Sequence, residues 1–194
     1  MTASDLLVVG LGNPGERYAH TRHNIGADAV ELLAERHGER LKPDSKCSSR
    51  LARLRIGGRA VVAAVPMTWM NESGRAVGQL VRRHPVEEWS AVIVVHDELD
   101  LPQGRVKVKV GGGLAGHNGL RSLEQHLHTR DFVRVRIGVG KPPGGPERGA
   151  DWVLSKVSGA TREQLAIAAA EAADAIESIV SEGVDATMQR VNAG

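Results

Sequence analysis

The chain has one cysteine, Cys47, in 194 residues. No disulfide can close within a single chain, which excludes a cystine-stapled scaffold and fits a reducing compartment. No apolar run approaches the length needed to cross a bilayer, so no membrane association is expected. The opening "MTASDLLVVGLG" lacks a basic leader and enters a strand-like segment directly, so no signal peptide is expected either. Repeats of solenoid spacing and long low-complexity tracts are also missing. These absences point to a cytoplasmic protein. Hydrophobic residues make up 41%, enough for one sizeable core, and residues 1–194 are read as a single domain.

Net charge is only +2, but it is unevenly spread. Residues 1–100 carry 13 Lys and Arg against 13 Asp and Glu. Residues 101–148 carry 9 against 3, and residues 149–194 carry 3 against 7. A local basic excess is a candidate footprint for a polyanion, and equally a solvated loop region.

"LLVVG" (6–10) and "AVIVVHD" (91–97) are short, apolar and β-branched, the mark of strands buried on both faces. "RLARLRIGGRAVVAAVP" (50–66) predicts a hairpin turning at Gly57-Gly58. "RVKVKVGGG" (105–113) and "FVRVRIGVG" (132–140) alternate, placing Lys107 with Lys109 and Arg134 with Arg136 on polar faces. Helices are predicted over 24–38, 71–84, 117–127 and 161–183, the last with a stripe of Leu165, Ala169, Ala172, Ile176 and Ile179. "KPPGGPERG" (141–149) reads as a loop. Strands alternating with helices, and some hairpins, predict a three-layer α/β domain with a twisted mixed sheet.

After the first strand comes G-x-G-x-x-G, at Gly10, Gly12 and Gly15. A dinucleotide site would need a helix opening at the third glycine and an acid ending the next strand, about 20 residues on. Here Pro14 precedes Gly15, the helical pattern begins only near Asn24, and Glu31 and Glu35 fall within it. A tight turn that projects Asn13 fits better. His20 and His23 form H-x-x-H, yet spacing supplies no third zinc ligand, although His96 or Asp97 remains available. Metal-free hydrolysis needs a histidine base, a carboxylate to fix its tautomer and donors for an oxyanion. His23, Asp97 and several asparagines are the right types for this. Each also has a plain structural reading: Asp97 as a turn acid, Asn71 as a helix initiator, Asn118 as an N-cap.

"GLGNPGERYAHTRHNIG", "MTWMNESG", "HDELDLPQGRVKVKVGGG", "GHNGLRS" and "RVRIGVGKP", in that order, resemble the bacterial peptidyl-tRNA hydrolase family, from about residue 6 to the last helix. The resemblance implies a monomeric α/β enzyme that cleaves the ester between a peptide and the 3′-terminal ribose of its tRNA, without metal or cofactor. It implies His23 as the catalytic histidine and Asp97 as its carboxylate. Asn13, Asn71 and Asn118 would line the substrate site, and Tyr18 and Met70 would flank the peptide and adenosine groove. Lys109 and Arg136 would meet tRNA phosphate near the acceptor stem, which gives the basic segment a role. Two positions depart from the family pattern. Ala115 stands where glycine is frequent before "GHNG", and Trp69 stands where Phe or Tyr is common.

Overall fold

The computed structural model describes residues 4–194; residues 1–3, the start of the segment read as leaderless, lie outside the described residues. The strands are β1 (Leu6–Gly10), β2 (Lys42–Asp44), β3 (Ser49–Ile56), β4 (Arg59–Pro66), β5 (Val92–Glu98), β6 (Val106–Val110) and β7 (Val133–Gly138). They form one sheet in the order β2-β3-β4-β1-β5-β7-β6. β4, β1, β5 and β7 run parallel at the centre. The edges are antiparallel, β2 and β3 on one side and β6 on the other. The mixed sheet expected from the alternation of elements is therefore present.

Helices cover both faces. α1 (Ile25–Arg36), α5 (Gly159–Glu182) and α6 (Val184–Ala193) lie over Leu6, Val8, Ile93, Val95, Val133 and Val135. α2 (Ser73–Arg83) and α3 (Asn118–Leu127) lie over Leu7, Val9, Val62, Val92 and Val94. β1 and the first four residues of β5, Val92–Val95, are apolar because both of their faces are covered. The expected α5 stripe, Leu165, Ala169, Ala172, Ile176 and Ile179, is buried throughout.

The glycines of the opening motif serve packing. A Cβ on Gly10 would collide with the Gly26 carbonyl, and a Cβ on Gly26 would collide with the Val95 carbonyl. The start of α1 therefore rests directly on β1 and β5, backbone against backbone. Gly74 does the same between α2 and α3, where it meets the Ser122 carbonyl. Its N–H donates to Ser122 Oγ at 2.9 Å. That close crossing explains why α2 carries a helix-weakening residue in its first turn.

Three elements go beyond the expected set. β2 is three residues long and contains Pro43, which an edge strand tolerates. The loop read over 141–149 leads into a short helix, α4 (Gly149–Val153). α6 follows a break at Gly183, whose φ of +93° ends α5.

Candidate active site

Asp97 is the last but one residue of β5, in the central, doubly covered part of the sheet. His23 lies in the single helical turn Arg22–Asn24 that leads into α1. The Gly26–Val95 contact carries this turn against the end of β5, and so brings His23 to Asp97. Both side chains are buried, His23 at 8% exposure and Asp97 at 3%. His23 Nδ1 lies 2.8 Å from Asp97 Oδ2 and 3.0 Å from Oδ1. With Nδ1–H donating to the carboxylate, Nε2 is left to accept.

A second imidazole meets the same carboxylate. His117 Nε2 is 2.8 Å from Asp97 Oδ1. His117 is the N-cap of α3, and its Nδ1 accepts from the N–H groups of Gly119 at 3.0 Å and Leu120 at 3.3 Å. A nitrogen that accepts backbone N–H groups carries no proton, so the proton of the neutral ring sits on Nε2 and points at Asp97. The capping role considered for Asn118 thus belongs to His117. The His23 and His117 rings stand 4.9 Å apart, and a third ring, His96, meets His117 edge-on at 5.2 Å. His96 donates from Nδ1 to the Asp97 carbonyl at 2.8 Å.

These contacts set the charges. Burial alone would raise the Asp97 carboxyl, but the facing His23 and His117 hold it well below the usual carboxylate range. Burial alone would lower His23, yet the Asp97 charge and hydrogen bond outweigh it, and the net shift is upward. Burial, then the neighbouring His117, pushes His96 down to about 3. His96 is therefore neutral and packs edge-on against His117.

The loop that carries His23 is fastened on both sides. Asn24 donates from its amide to the Asn13 carbonyl and accepts from the Asn13 N–H, both at 2.9 Å. Arg22 lies over the Trp152 indole with its guanidinium carbon 3.4 Å from the ring centroid. Arg22 also donates to Ser155 Oγ at 2.6 Å. Beside the imidazole pair opens a cavity of about 600 Å³ whose walls include His23, Asp97, His117, Asn118, Pro142 and Val153.

The other expected residues fall into three groups. Asn13 Oδ1 accepts the Met70 N–H at 2.7 Å, which ties the turn Met70–Glu72 to the His23 loop and leaves the Asn13 amide N–H groups as donors. Asn71 and Asn118 are exposed at the starts of their helical turns. Tyr18 packs edge-on against Trp69, ring centroids 5.7 Å apart, and Trp69 is exposed. Met70 is buried at 4%, near Gly119 and Ser73, and is not among the walls of that cavity. Lys109 and Arg136 lie at the far edge, on β6 and β7. They are not direct partners: Lys109 stands opposite Arg134, and Lys107 opposite Arg136. Arg136 has Glu98 Oε1 at 3.7 Å.

His117, Asn24 and Arg134 make contacts at or near the site that the sequence reading did not assign. A histidine directly before a helix start was a readable capping signal for His117. The other two depend on contacts far apart in sequence. His23, Asp97 and His117 also place one possible ligand atom each within 4.8 Å of one another. A metal there would have to displace the hydrogen bonds that now join them. His20, the other half of H-x-x-H, points elsewhere, with Nε2 3.2 Å from Arg162.

Comparison with known proteins agrees with this architecture. The sequence model of the peptidyl-tRNA hydrolase family matches residues 7–194. Peptidyl-tRNA hydrolase of Mycolicibacterium vanbaalenii is 47% identical over 191 residues, covering 98% of both chains. That of Mycobacterium tuberculosis is 46% identical, covering 98% of this chain and 99% of the relative. The crystal structure of peptidyl-tRNA hydrolase from Acinetobacter baumannii superposes with a TM-score of 0.90 at 39% identity, covering 100% of this chain and 97% of that one. With nearly its whole length matched in sequence and all of it in fold, the chain belongs to the peptidyl-tRNA hydrolase family and is an enzyme of that class.

Proposed function

We propose that this enzyme hydrolyses the ester between the peptide and the 3′-terminal ribose of peptidyl-tRNA, with His23 Nε2 as general base. The observation that carries the reading is the 2.8 Å contact between His23 Nδ1 and Asp97, which leaves Nε2 free to take a proton at the cavity wall. Water loses its proton to Nε2 as its oxygen attacks the ester carbonyl. The imidazolium that forms is held by the buried carboxylate, and its proton then passes to the departing ribose oxygen. Asp97 fixes the tautomer, and His117 fixes Asp97. Asn13 can offer only N–H donors toward the substrate, because its oxygen is engaged by Met70. An amide of that polarity suits a carbonyl oxygen that gains charge during attack.

The cationic edge fits the other half of the substrate. His96, Arg136 and Lys107 stand in register across β5, β7 and β6. At about 4.8 Å per strand, the β6 cations lie roughly 10 Å from β5. Acceptor-stem phosphates at Lys109 and Arg136 would leave the 3′ CCA end to reach His23. We propose that the chain acts as a single-domain monomer in the cytoplasm; among the described residues no helix is long and apolar enough to cross a membrane. The base needs no metal in this scheme.

The test is release of peptide from N-acetyl-aminoacyl-tRNA by wild type and by His23→Ala, with and without EDTA. The variant should lose about 10²–10⁴-fold in kcat while still binding tRNA. Near wild-type turnover by the variant would remove the base assignment. Loss of wild-type activity in EDTA, restored by zinc, would replace the metal-free step with a metal-assisted one.

A further inference from the structure

Arg134 is an anomaly in the basic segment. It is 2% exposed and ranks with Phe132 among the largest fully buried side chains. Among the described residues no carboxylate forms an ion pair with it. Burial lowers its pKa, and so do the neighbouring Arg130 and Arg136, with only Glu98 and Glu124 acting the other way. A buried cation without a counter-ion is costly unless its hydrogens are used. Two of them are used on a single turn. Nη1 donates to the Gly113 carbonyl, and Nη2 donates to the Gly112 carbonyl at 2.9 Å.

That turn joins the two halves of the site. It leaves β6 directly after Lys109 and Val110, and it reaches His117 and Asn118 within five residues of Gly113. Gly111 and Gly112 have φ of +64° and +104°, so nothing intrinsic to the backbone selects one conformation here. Lys109 folds onto the turn: a Cβ on Gly112 would fall 2.5 Å from Nζ. The ammonium therefore rests on the very peptide whose carbonyl Arg134 holds. Because a peptide is planar, fixing the carbonyls of Gly112 and Gly113 also turns the N–H groups of Gly113 and Leu114 away from the guanidinium. The positive ends of two peptide dipoles then lie on the exposed side of the turn.

We infer that Arg134 is a positioning residue for substrate binding: from inside the core it fixes the Gly112-Gly113 turn, and through the turn it holds Lys109 where a phosphate diester of the acceptor stem meets it. The inference rests on the proposed function, in which Lys109 binds phosphate. Arg134 itself touches no substrate.

The test is a double-mutant cycle on the full-length enzyme, using Arg134→Met, Lys109→Ala and the pair, with kcat, KM and the salt dependence of kcat/KM measured on N-acetyl-aminoacyl-tRNA. Arg134→Met should raise KM about tenfold with a smaller change in kcat. It should also flatten the slope of log kcat/KM against log salt by about the 0.7–0.9 that one phosphate contact contributes, although its side chain meets no phosphate. In the Lys109→Ala background the same change should cost less than twofold, because the group it positions is gone. Arg134→Lys keeps the charge but loses the two-pronged grip, and should fall between wild type and Met. If Arg134→Met does not fold, the cycle is run with Lys. Losses that simply multiply, or an unchanged salt slope, overturn the inference. An unchanged KM in Lys109→Ala alone would instead overturn the phosphate role of Lys109.

Discussion

Asp97→Asn isolates the feature on which the chemistry turns, a buried carboxylate that accepts from two imidazoles at once. His117 cannot adapt to the change, because its Nδ1 is committed to the N–H groups of Gly119 and Leu120 and its Nε2–H must donate. His23 also donates, through Nδ1. An asparagine has one oxygen to offer and an NH₂ that would face the second donor. One buried N–H is then left unpaired, at a cost of about 1–3 kcal/mol. In a chain of this size that corresponds to a fall in Tm of roughly 2–4 °C per kcal/mol. The catalytic cost is larger. His23 loses the charge that favours its imidazolium and the contact that holds its tautomer, so kcat should fall about 10²–10⁴-fold with KM little changed. The pH profile gives a further check. His23 must be unprotonated to act, so activity is lost as pH falls through its pKa. In the wild type Asp97 raises that pKa above the ordinary 6.5, against burial. Without the charge only burial remains, which lowers it. The acid limb of kcat should therefore lie above pH 6.5 in the wild type and move to lower pH in Asp97→Asn. A variant that keeps more than a tenth of kcat, or whose acid limb moves upward, would refute the two-donor account.

Asp28 on α1 is pushed up to about 6, from an ordinary 3.8, by burial and then by Glu31, with Arg162 on α5 opposing. A raised carboxyl favours folding at low pH and opposes it as pH rises through 6, and the gap corresponds to a penalty of about 3 kcal/mol at most. Asp28→Asn should accordingly stabilise the protein in urea at pH 7.5, by roughly 1–3 kcal/mol, and leave it unchanged below pH 4; equal effects at both pH values would contradict this. Ala115 has φ of +50°, a left-handed conformation that suits glycine. Ala115→Gly should gain about 0.5–1 kcal/mol in the same assay, whereas a loss of the size normal for Ala→Gly would show that the turn is unstrained.

The central strands and long helices were legible because each satisfies one strong constraint. β1 and the first part of β5 are covered on both faces and read as unbroken apolar runs, and the Leu165–Ile179 stripe of α5 has a single helical period. β2, α4 and α6 were not legible, because each is short and is held by neighbours instead of by its own pattern. Pro43 argues against a strand until the edge position is known. The residues around 146 look like a loop until Trp152 is seen donating to the carbonyls of Val139 and Gly140. At the site, His23 and Asp97 could be named from the motifs, but their partners could not. His117 looked like the start of a helix, and its link to Asp97 spans twenty residues and two elements. Alternation placed Arg134 and Arg136 on one face, as the register has it, but only the folded turn over Gly112 shows that the first is interior and the second is not. Met70 was expected to flank a groove and is buried, since a motif gives order along the chain and not depth.

The abutment of Gly26 on Val95 has a consequence for how the enzyme can vary. Because main chain meets main chain there, the approach of the His23 turn to Asp97 is limited at this point by backbone atoms and not by a side chain. One methyl group added at residue 26 would wedge α1 off the sheet and pull the two reacting partners apart.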